Sequence, residues 1–223
     1  MPVPDTLNCR YMVMAGANRF EALSSQDAAV ALSGQLKTVA VSLMKIANDL
    51  RWMNSGPLAG IGEIALPALQ PGSSIMPGKV NPVIPELVNV VAFRVMSNDL
   101  AVTLAAQHGQ LQLNAYEPIE AIAILESQRL LTTTMRTLRE RCIVGITVNL
   151  ETLERDIERT VGIVTALNPL IGYDRATELA REAYESDKGI LELVREKGIL
   201  TDQQIEELLD PTALTGLDVE DYR

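Results

Sequence analysis

Residues 72–107 read GSSIMPGKVNPVIPELVNVVAFRVMSNDLAVTLAAQ, and the second part of this stretch decides the fold. Helix is expected from about Pro82–Pro85, because proline is tolerated in a first turn, to about Gln107. A helix that is apolar nearly all round is buried on all sides. One chain of 223 residues can hardly bury several such helices alone, so we expect an oligomer. The apolar positions that cover most of this helix are Leu87, Val88, Val90, Val91, Phe93, Val95, Met96, Leu100, Val102 and Leu104.

Two further long helices are predicted on either side of this one. The first begins at a cap residue, Ser24 or Ser25, shows apolar residues at helical spacing, and ends near Met53. The other begins at Pro118 and ends near Arg141. Residues 54–81 separate the first two helices and contain five glycines and four prolines. An irregular segment of this length in a compact domain is usually functional.

The character of the chain changes near Asn149. Residues 1–148 carry 11 acidic and 11 basic side chains, whereas residues 149–223 carry 18 acidic and 8 basic ones. Short charged helices are expected in the second part, with Asp174 and Thr201 as N-caps and Gln204 completing a capping box. We therefore predict an all-α protein with a long-helix domain over 1–148 and a small acidic helical domain over 149–223.

Composition excludes several classes of function. The acidic second part and the absence of a Lys/Arg cluster argue against nucleic acid or an anionic membrane as partner. Charged and amide residues interrupt the apolar stretch 83–106, so it is not predicted to span a membrane. Cys9 and Cys142 form no CxxC pair, and no metal-ligand or phosphate-loop spacing occurs. No signal pattern is present at the N-terminus, and a cytoplasmic protein without cofactor or metal is expected.

Residues 72–82 combine two glycines and two prolines with polar side chains suited to binding a small anion. Ser73 and Ser74 follow Gly72, and most loop serines only bond to backbone. Lys79 and Asn81 change that expectation, because an ammonium and an amide together suit a carboxylate. This segment has no histidine or acid that would form a nucleophile triad with the serine. The sequence therefore favours carboxylate binding over hydrolysis.

For the other polar residues, an ordinary structural role is an alternative to a role in the site. Glu86, in the first turn of the buried helix, is either a helix-dipole partner or a carboxylate that orients a catalytic group from elsewhere. His108, the single histidine, is expected as a solvent-facing residue at a helix end. The amides of residues 110–114 are expected as caps, and Glu117 and Glu120 as an exposed first turn.

The stretch 72–82 resembles, along its full length, the signature of the fumarase/aspartase superfamily. Nearly all of residues 18–215 is similar to the C-terminal half of these enzymes. Further matching stretches are 20–23 (FEAL), 43–52 (LMKIANDLRW), 55–57 (SGP), 109–114 (GQLQLN), 117–118 (EP) and 167–173 (LNPLIGY).

The resemblance implies a long-helix domain that packs four-fold into a tetramer core, and a reversible elimination from a substituted succinate that releases fumarate. Ser73 would be the base that removes the Cβ proton, with backbone amides aimed at its oxygen. Lys79 and Asn81 would hold the substrate carboxylate and stabilise the enediolate-like intermediate. Ser74 and Val80 would also contact substrate, and Glu86 would pair with a histidine of another subunit.

The resemblance leaves the leaving group open. Residues 83–86 and 109–118 look more like aspartate ammonia-lyases, whereas residues 20–23, 43–52 and 60–64 resemble fumarases. Aspartate is the preferred substrate on this basis, and malate the alternative.

Segments that in full-length members supply threonine, serine and asparagine ligands, and the histidine partner of Glu86, have no counterpart in this sequence. We therefore expect a fragment, a truncated product or one half of a split enzyme, active with a complementary N-terminal segment. The rival reading is a non-catalytic helical assembly module.

Overall fold

The computed structural model describes residues 17–56, 58–70 and 72–210. Residues 1–16, Pro57, Pro71 and 211–223 lie outside the described residues, so expectations that involve Cys9, Pro57 and the two chain ends are not addressed. The chain divides into two compact units, one that ends at Thr147 and one that begins at Val148. The described residues are helical apart from turns, loops and two strands of two residues each, Ile64–Ala65 (β1) and Thr147–Val148 (β2). The predicted all-α class is confirmed.

The first unit is built around three long helices. Its helices are α1 (Arg19–Ser24), α2 (Asp27–Met53), α3 (Val83–Gln107) and α4 (Glu117–Arg141), followed by a 3-10 turn at Ile143–Gly145. α3 packs against both α2 and α4. Burial of apolar surface along these contacts holds the unit together. Its two core clusters contain Ala40, Ala47, Leu50, Val88, Val91, Ala92, Val95, Leu131, Leu138 and Cys142.

The predicted bounds of α3 and α4 are confirmed to within one residue. α2 begins one residue later than the predicted cap at Ser25 implies, and Ser25 Oγ accepts from the Asp27 N–H at 3.4 Å. Ser24 is the last residue of α1, a separate short helix. The Asn18 side chain starts that helix by accepting from the backbone N–H groups of Phe20, at 3.1 Å, and Glu21, at 3.3 Å. This cap satisfies the first free donors of α1. α2 begins only at Asp27, after Gln26, whose side chain makes no cap.

Two neighbouring polar residues of α3 tie it to the helices on both sides. Asp99 accepts from Ser33 Oγ at 2.8 Å and from Lys37 Nζ at 2.6 Å, both on α2. Asn98 donates through Nδ2 to Ser127 Oγ on α4 at 3.1 Å. A buried polar group without a partner is costly, so these bonds select one register between the three helices.

The all-round burial expected for α3 is not reached within one chain. One face of α3 and part of α4 expose large apolar side chains to solvent. α2 and α3 are long and apolar enough to cross a membrane by length and composition alone, a test that core helices of soluble bundles also pass. The exposed apolar residues on the two faces are Leu87, Val90, Phe93, Leu100 and Leu104 on α3 and Ile119, Ile122 and Leu125 on α4.

The second unit consists of short helices around its own core. These are α5 (Leu150–Arg159), α6 (Val164–Ile171), α7 (Tyr173–Ser186), α8 (Ile190–Glu196) and α9 (Asp202–Leu209), with a 3-10 turn at Val161–Ile163. The core of this unit contains Ile163, Leu167, Leu179, Ala183, Ile190, Leu191, Leu193, Val194 and Ile205.

One of the two caps predicted for the second unit is confirmed. Thr201 and Gln204 form the expected capping box at the start of α9. The N-cap predicted at Asp174 is wrong, because α7 already begins at Tyr173 after Gly172, whose φ is +81°. Asp174 lies in the first turn, where a carboxylate still favours the helix dipole.

Candidate active site

The loop that precedes α3 is closed by hydrogen bonds at its base. The Gly72 N–H donates to the Lys79 carbonyl at 2.6 Å, and Asn81 Nδ2 donates to the Gly72 carbonyl at 2.9 Å. Within the loop, the Lys79 N–H donates to the Met76 carbonyl at 3.2 Å. Gly78, which lies inside this turn, has a φ of +81°. A Cβ at position 72 would lie 2.5 Å from the Lys79 carbonyl oxygen. The first residue of the loop must therefore be glycine.

Gly72→Ala is expected to open this base. The added Cβ meets backbone atoms of Lys79, which cannot move aside as a flexible side chain would. Overpacking of this kind costs about 1–3 kcal/mol, which corresponds to roughly 5- to 150-fold faster hydrogen exchange of the residue-72 amide. NMR-detected exchange measures it. Gly34→Ala is the control, since its Cβ meets no atom within 4 Å and Gly34 lies in the helical backbone of α2. Unchanged exchange in Gly72→Ala would contradict the described closure.

Ser73 sits inside the closed loop with two donors on its side-chain oxygen. The backbone N–H groups of Ile75 and Met76 donate to Ser73 Oγ at 3.1 and 3.2 Å. Such bonds are common for serine in turns. They also place two partial positive charges on the oxygen, which favours its deprotonated form. The arrangement is the one that the sequence predicts, and the role of Ser73 as a base stays a prediction.

Two further predicted site residues, Lys79 and Val80, line an open cleft of about 380 Å³ together with Ser73, whereas Ser74 and Asn81 do not line it. Ser74, Lys79 and Val80 are exposed. Among the described residues, no carboxylate forms an ion pair with Lys79. Asn81 differs from the expectation in one respect, because its amide already closes the loop through one N–H. The second N–H of this amide is the one left for a ligand.

Glu86, in the first turn of α3, lies half-buried beside the C-terminal end of α2. Arg51 Nη2 is 4.0 Å from Glu86 Oε1. Asn48 Oδ1 accepts from Arg51 Nη1 at 3.4 Å and from Asn89 Nδ2 at 2.8 Å. Sequence reasoning used Asn48 and Arg51 only as part of the stretch 43–52. The signal that could have singled them out is their i, i+3 spacing at a helix end before the loop.

His108 lies far from this loop. It is the exposed C-cap of α3, with Nδ1 2.7 Å from the Leu104 carbonyl oxygen, as predicted. α3 has 25 residues, so about 37 Å separates its two ends, and Glu86 and His108 do not share a site within one chain. Asn114 is a cap, as predicted, with Nδ2 donating to the Ala105 carbonyl at 3.1 Å. No group of three or more metal-ligating side chains occurs in the described parts of the chain.

The prediction of an exposed first turn of α4 is wrong for Glu120. Its side chain is only 3% exposed, and Oε1 has no hydrogen-bond partner within the described residues. Burial, and secondarily the nearby Glu117 carboxylate, raise the pKa of Glu120. Glu117 is exposed as expected and accepts from Gln26 Nε2 at 3.2 Å. The mistake arises because Glu120 shares a helix face with buried Ala123 and Ser127.

Glu120→Gln is expected to stabilise the chain at neutral pH. A raised folded-state pKa means that the folded protein holds the proton more tightly than the unfolded one, so stability falls as pH rises through that pKa. Removing the charge should raise Tm at pH 7 by about 2–4 °C, equivalent to roughly 1 kcal/mol. The gain should vanish below the unfolded pKa. Thermal unfolding of the variant and of Glu178→Gln, an exposed control in the second unit, measures it. An equal gain at both pH values would contradict the assignment.

Sequence and structure comparisons agree on one group of proteins. Residues 6–97 match the family model described as Lyase, and residues 163–216 match the model described as Fumarase C C-terminus. An aspartate ammonia-lyase of Pseudomonas canavaninivorans is 57% identical over 199 residues, which cover 89% of this chain and 42% of that protein. A class II fumarate hydratase of Xylella fastidiosa is 54% identical over 198 residues, again 89% and 42%.

A solved structure extends the likeness to three dimensions. The crystal structure of a fumarate lyase:delta crystallin from Brucella melitensis superposes with a TM-score of 0.81 at 51% identity, covering 89% of this chain and 45% of that one. The fold is therefore that of the fumarate lyase helical bundles. The chain belongs to the fumarase/aspartase superfamily. It spans less than half the length of the curated relatives that it matches.

Proposed function

We propose that this chain supplies the signature-loop part of the active site of a fumarate-forming lyase. The reaction is the reversible elimination from a substituted succinate, with aspartate as the preferred substrate. The observation that carries the proposal is the closed loop, in which Ser73 Oγ accepts from two backbone N–H groups and Lys79 forms no ion pair with any carboxylate of the described residues. The names of relatives that share more than half of the aligned residues support the class of reaction.

Ser73 acts as the base in this proposal. Its oxygen takes the proton from Cβ of the substrate, and the two electrons of that C–H bond move into the adjacent carboxylate. The Ile75 and Met76 amides lower the proton affinity of the serine oxygen before the substrate arrives. The electrons then form the Cα=Cβ bond as the Cα–N bond breaks. Fumarate and ammonia are released, and the proton taken from Cβ combines with the ammonia to give ammonium.

Lys79 and Asn81 stabilise the charge that appears after proton removal. The intermediate carries two negative charges on one carboxyl group, and an ammonium beside it is worth more there than in the ground state. The free N–H of Asn81 contributes a directed hydrogen bond, and its other N–H keeps the loop closed. Val80, which lines the cleft, and Ser74, an exposed residue next to Ser73, complete the substrate surface that this chain provides.

The alternative function is hydration of fumarate to malate. It is favoured by the class II fumarate hydratases among the relatives, at 54% identity against 57% for aspartate ammonia-lyases. The same loop serves either reaction, because elimination of ammonia from aspartate and elimination of water from malate, the reverse of the hydration, both begin with loss of the Cβ proton. The difference concerns the leaving group, for which the described residues offer no distinguishing contact.

The active enzyme is proposed to be a homotetramer in the cytoplasm, completed by a segment equivalent to the part of the relatives that this chain does not span. The support is the exposed apolar face of α3 and α4, on which eight large apolar side chains are each at least 40% exposed in one chain. Four copies packed through these faces would bury it. Glu86 would then meet a histidine from another subunit.

The experiment follows fumarate by its ultraviolet absorbance. The full chain is mixed with the part of the Pseudomonas canavaninivorans enzyme that lies outside the match, and aspartate and malate are supplied in turn. Turnover of aspartate is expected, and turnover of malate alone would favour the hydratase. Size-exclusion chromatography reports the assembly. Turnover of neither substrate by a folded oligomer would contradict the proposal and favour the non-catalytic assembly module.

A further inference from the structure

A second cleft, of about 340 Å³, lies between the C-terminal end of α2 and the start of α3. Asn48, Arg51 and Glu86 are among its lining residues. Val80 lines both this cleft and the one that holds Ser73 and Lys79, so the two clefts adjoin at the loop. Any group that sets the orientation of Glu86 therefore acts next to the proposed reaction centre.

Two pairs of side chains face each other across this contact. Asn48 and Arg51 are three residues apart on α2, and Glu86 and Asn89 are three apart on α3, so each pair shares a helix face. Asn48 Oδ1 accepts from Asn89 Nδ2 at 2.8 Å and from Arg51 Nη1 at 3.4 Å. The other terminal nitrogen, Arg51 Nη2, is 4.0 Å from Glu86 Oε1.

The planar guanidinium makes these two contacts dependent on each other. The bond from Nη1 to Asn48 restricts the plane of the guanidinium while Nη2 lies 4.0 Å from Glu86 Oε1, within ion-pair distance. A lysine in place of Arg51 would bring the charge without this geometry. Arg51 and Glu86 are 41% and 43% exposed, and an ion pair at that exposure adds little to stability. What the contact does supply is orientation.

We propose that Arg51, braced by Asn48, is a positioning residue that holds the Glu86 carboxylate in one orientation at the cleft. This inference rests on the proposed function only for the task of Glu86, which is to present its carboxylate to a catalytic group from another chain. The contact itself belongs to the chain as described and can be tested without turnover.

The first measurement is NMR of the full chain. Glu86→Gln should move the Arg51 Nε–H signal, and Arg51→Gln should move the side-chain amide signals of Asn48 and Asn89. The matched control is Lys45→Gln, which removes a positive charge on the same helix from a surface pair with Asp49. It should leave those signals in place. If Glu86→Gln leaves the Arg51 signal unmoved, the inference is overturned.

The second measurement is a double-mutant cycle on turnover in the completed enzyme. Arg51→Gln should lower kcat by about 10- to 100-fold with little change in KM, but by less than about twofold in the Glu86→Gln background. Arg51→Lys should recover only part of the loss. Equal losses in both backgrounds would indicate a merely structural residue and overturn the inference. If the parent enzyme turns over neither substrate, the proposed function fails, and the NMR result decides the positioning contact.

Discussion

Ser73→Ala is expected to reduce fumarate formation by about 10²- to 10⁴-fold, the range that a positioned general base contributes. The loss should fall on kcat, because the side chain is proposed to act in the proton-transfer step rather than in substrate binding. The fold should not suffer. The two amides that donate to Ser73 Oγ belong to exposed loop residues, so water replaces the lost acceptor. Initial rates and thermal unfolding of the same preparation measure both expectations.

The control for Ser73→Ala is Ser186→Ala. Ser186 is an exposed helix residue of the second unit whose Oγ donates to the Glu182 carbonyl at 2.7 Å. Its removal should leave turnover unchanged and Tm within the small range typical of surface substitutions. Turnover at the parental rate by Ser73→Ala would show that Ser73 is not the base. A large loss of Tm would instead indicate that the hydroxyl serves the loop backbone.

Lys79→Gln is expected to lower kcat by about 10²- to 10³-fold, the cost of losing one electrostatic partner of a developing oxyanion. The ammonium is exposed at the loop cleft, and among the described residues it forms no ion pair that would compete with a substrate carboxylate. Because the second negative charge appears only after proton removal, kcat and kcat/KM should fall together. Steady-state kinetics at saturating and limiting substrate separate the two constants.

Lys197→Gln is the matched control for Lys79→Gln. Lys197 is a lysine of the second unit that pairs with Glu182 at 2.7 Å, so its removal costs one positive charge without touching the loop. A rise in KM alone for Lys79→Gln would show that the lysine binds ground state and transition state equally. In that case the assignment of intermediate stabilisation is wrong.

The long helices could be predicted from the sequence because their patterns are long and their ends are marked. α3 and α4 lie within one residue of the expected bounds, since proline in a first turn marks where each begins. The short helix α1 was missed, because its start depends on a cap from Asn18, whose geometry only the folded backbone reveals. Helices of six residues carry too few apolar positions to establish a period.

The burial of single polar residues was harder to predict than the helices that carry them. Glu120 was expected in water and is buried, because its face of α4 packs against neighbouring helices. Conversely, Val90 and Phe93 were expected inside and are exposed in one chain. In both cases the sequence gives the helix but not which of its faces meets a neighbour, and that depends on how several helices pack together.

In the loop, too, the sequence predicts the residue types of the site but not the hydrogen bonds that its individual atoms make. Its residues and their joint suitability for a carboxylate followed from the sequence and from a resemblance over residues 72–82. That Asn81 uses one N–H to close the loop, and that Arg51 reaches Glu86, depend on contacts between segments that are distant along the chain. Residue types predict what a site can bind, and packing decides which of its groups remain free.

The most direct test of the central claim is incorporation of solvent deuterium in the reverse reaction. The completed enzyme is incubated with fumarate and ammonium in D₂O, and the product is examined by proton NMR. The expected product is aspartate with a single deuterium at Cβ, formed by the parent chain and about 10²- to 10⁴-fold more slowly by Ser73→Ala. Monodeuterated product formed by Ser73→Ala at the parental rate would contradict the claim that this loop carries the proton.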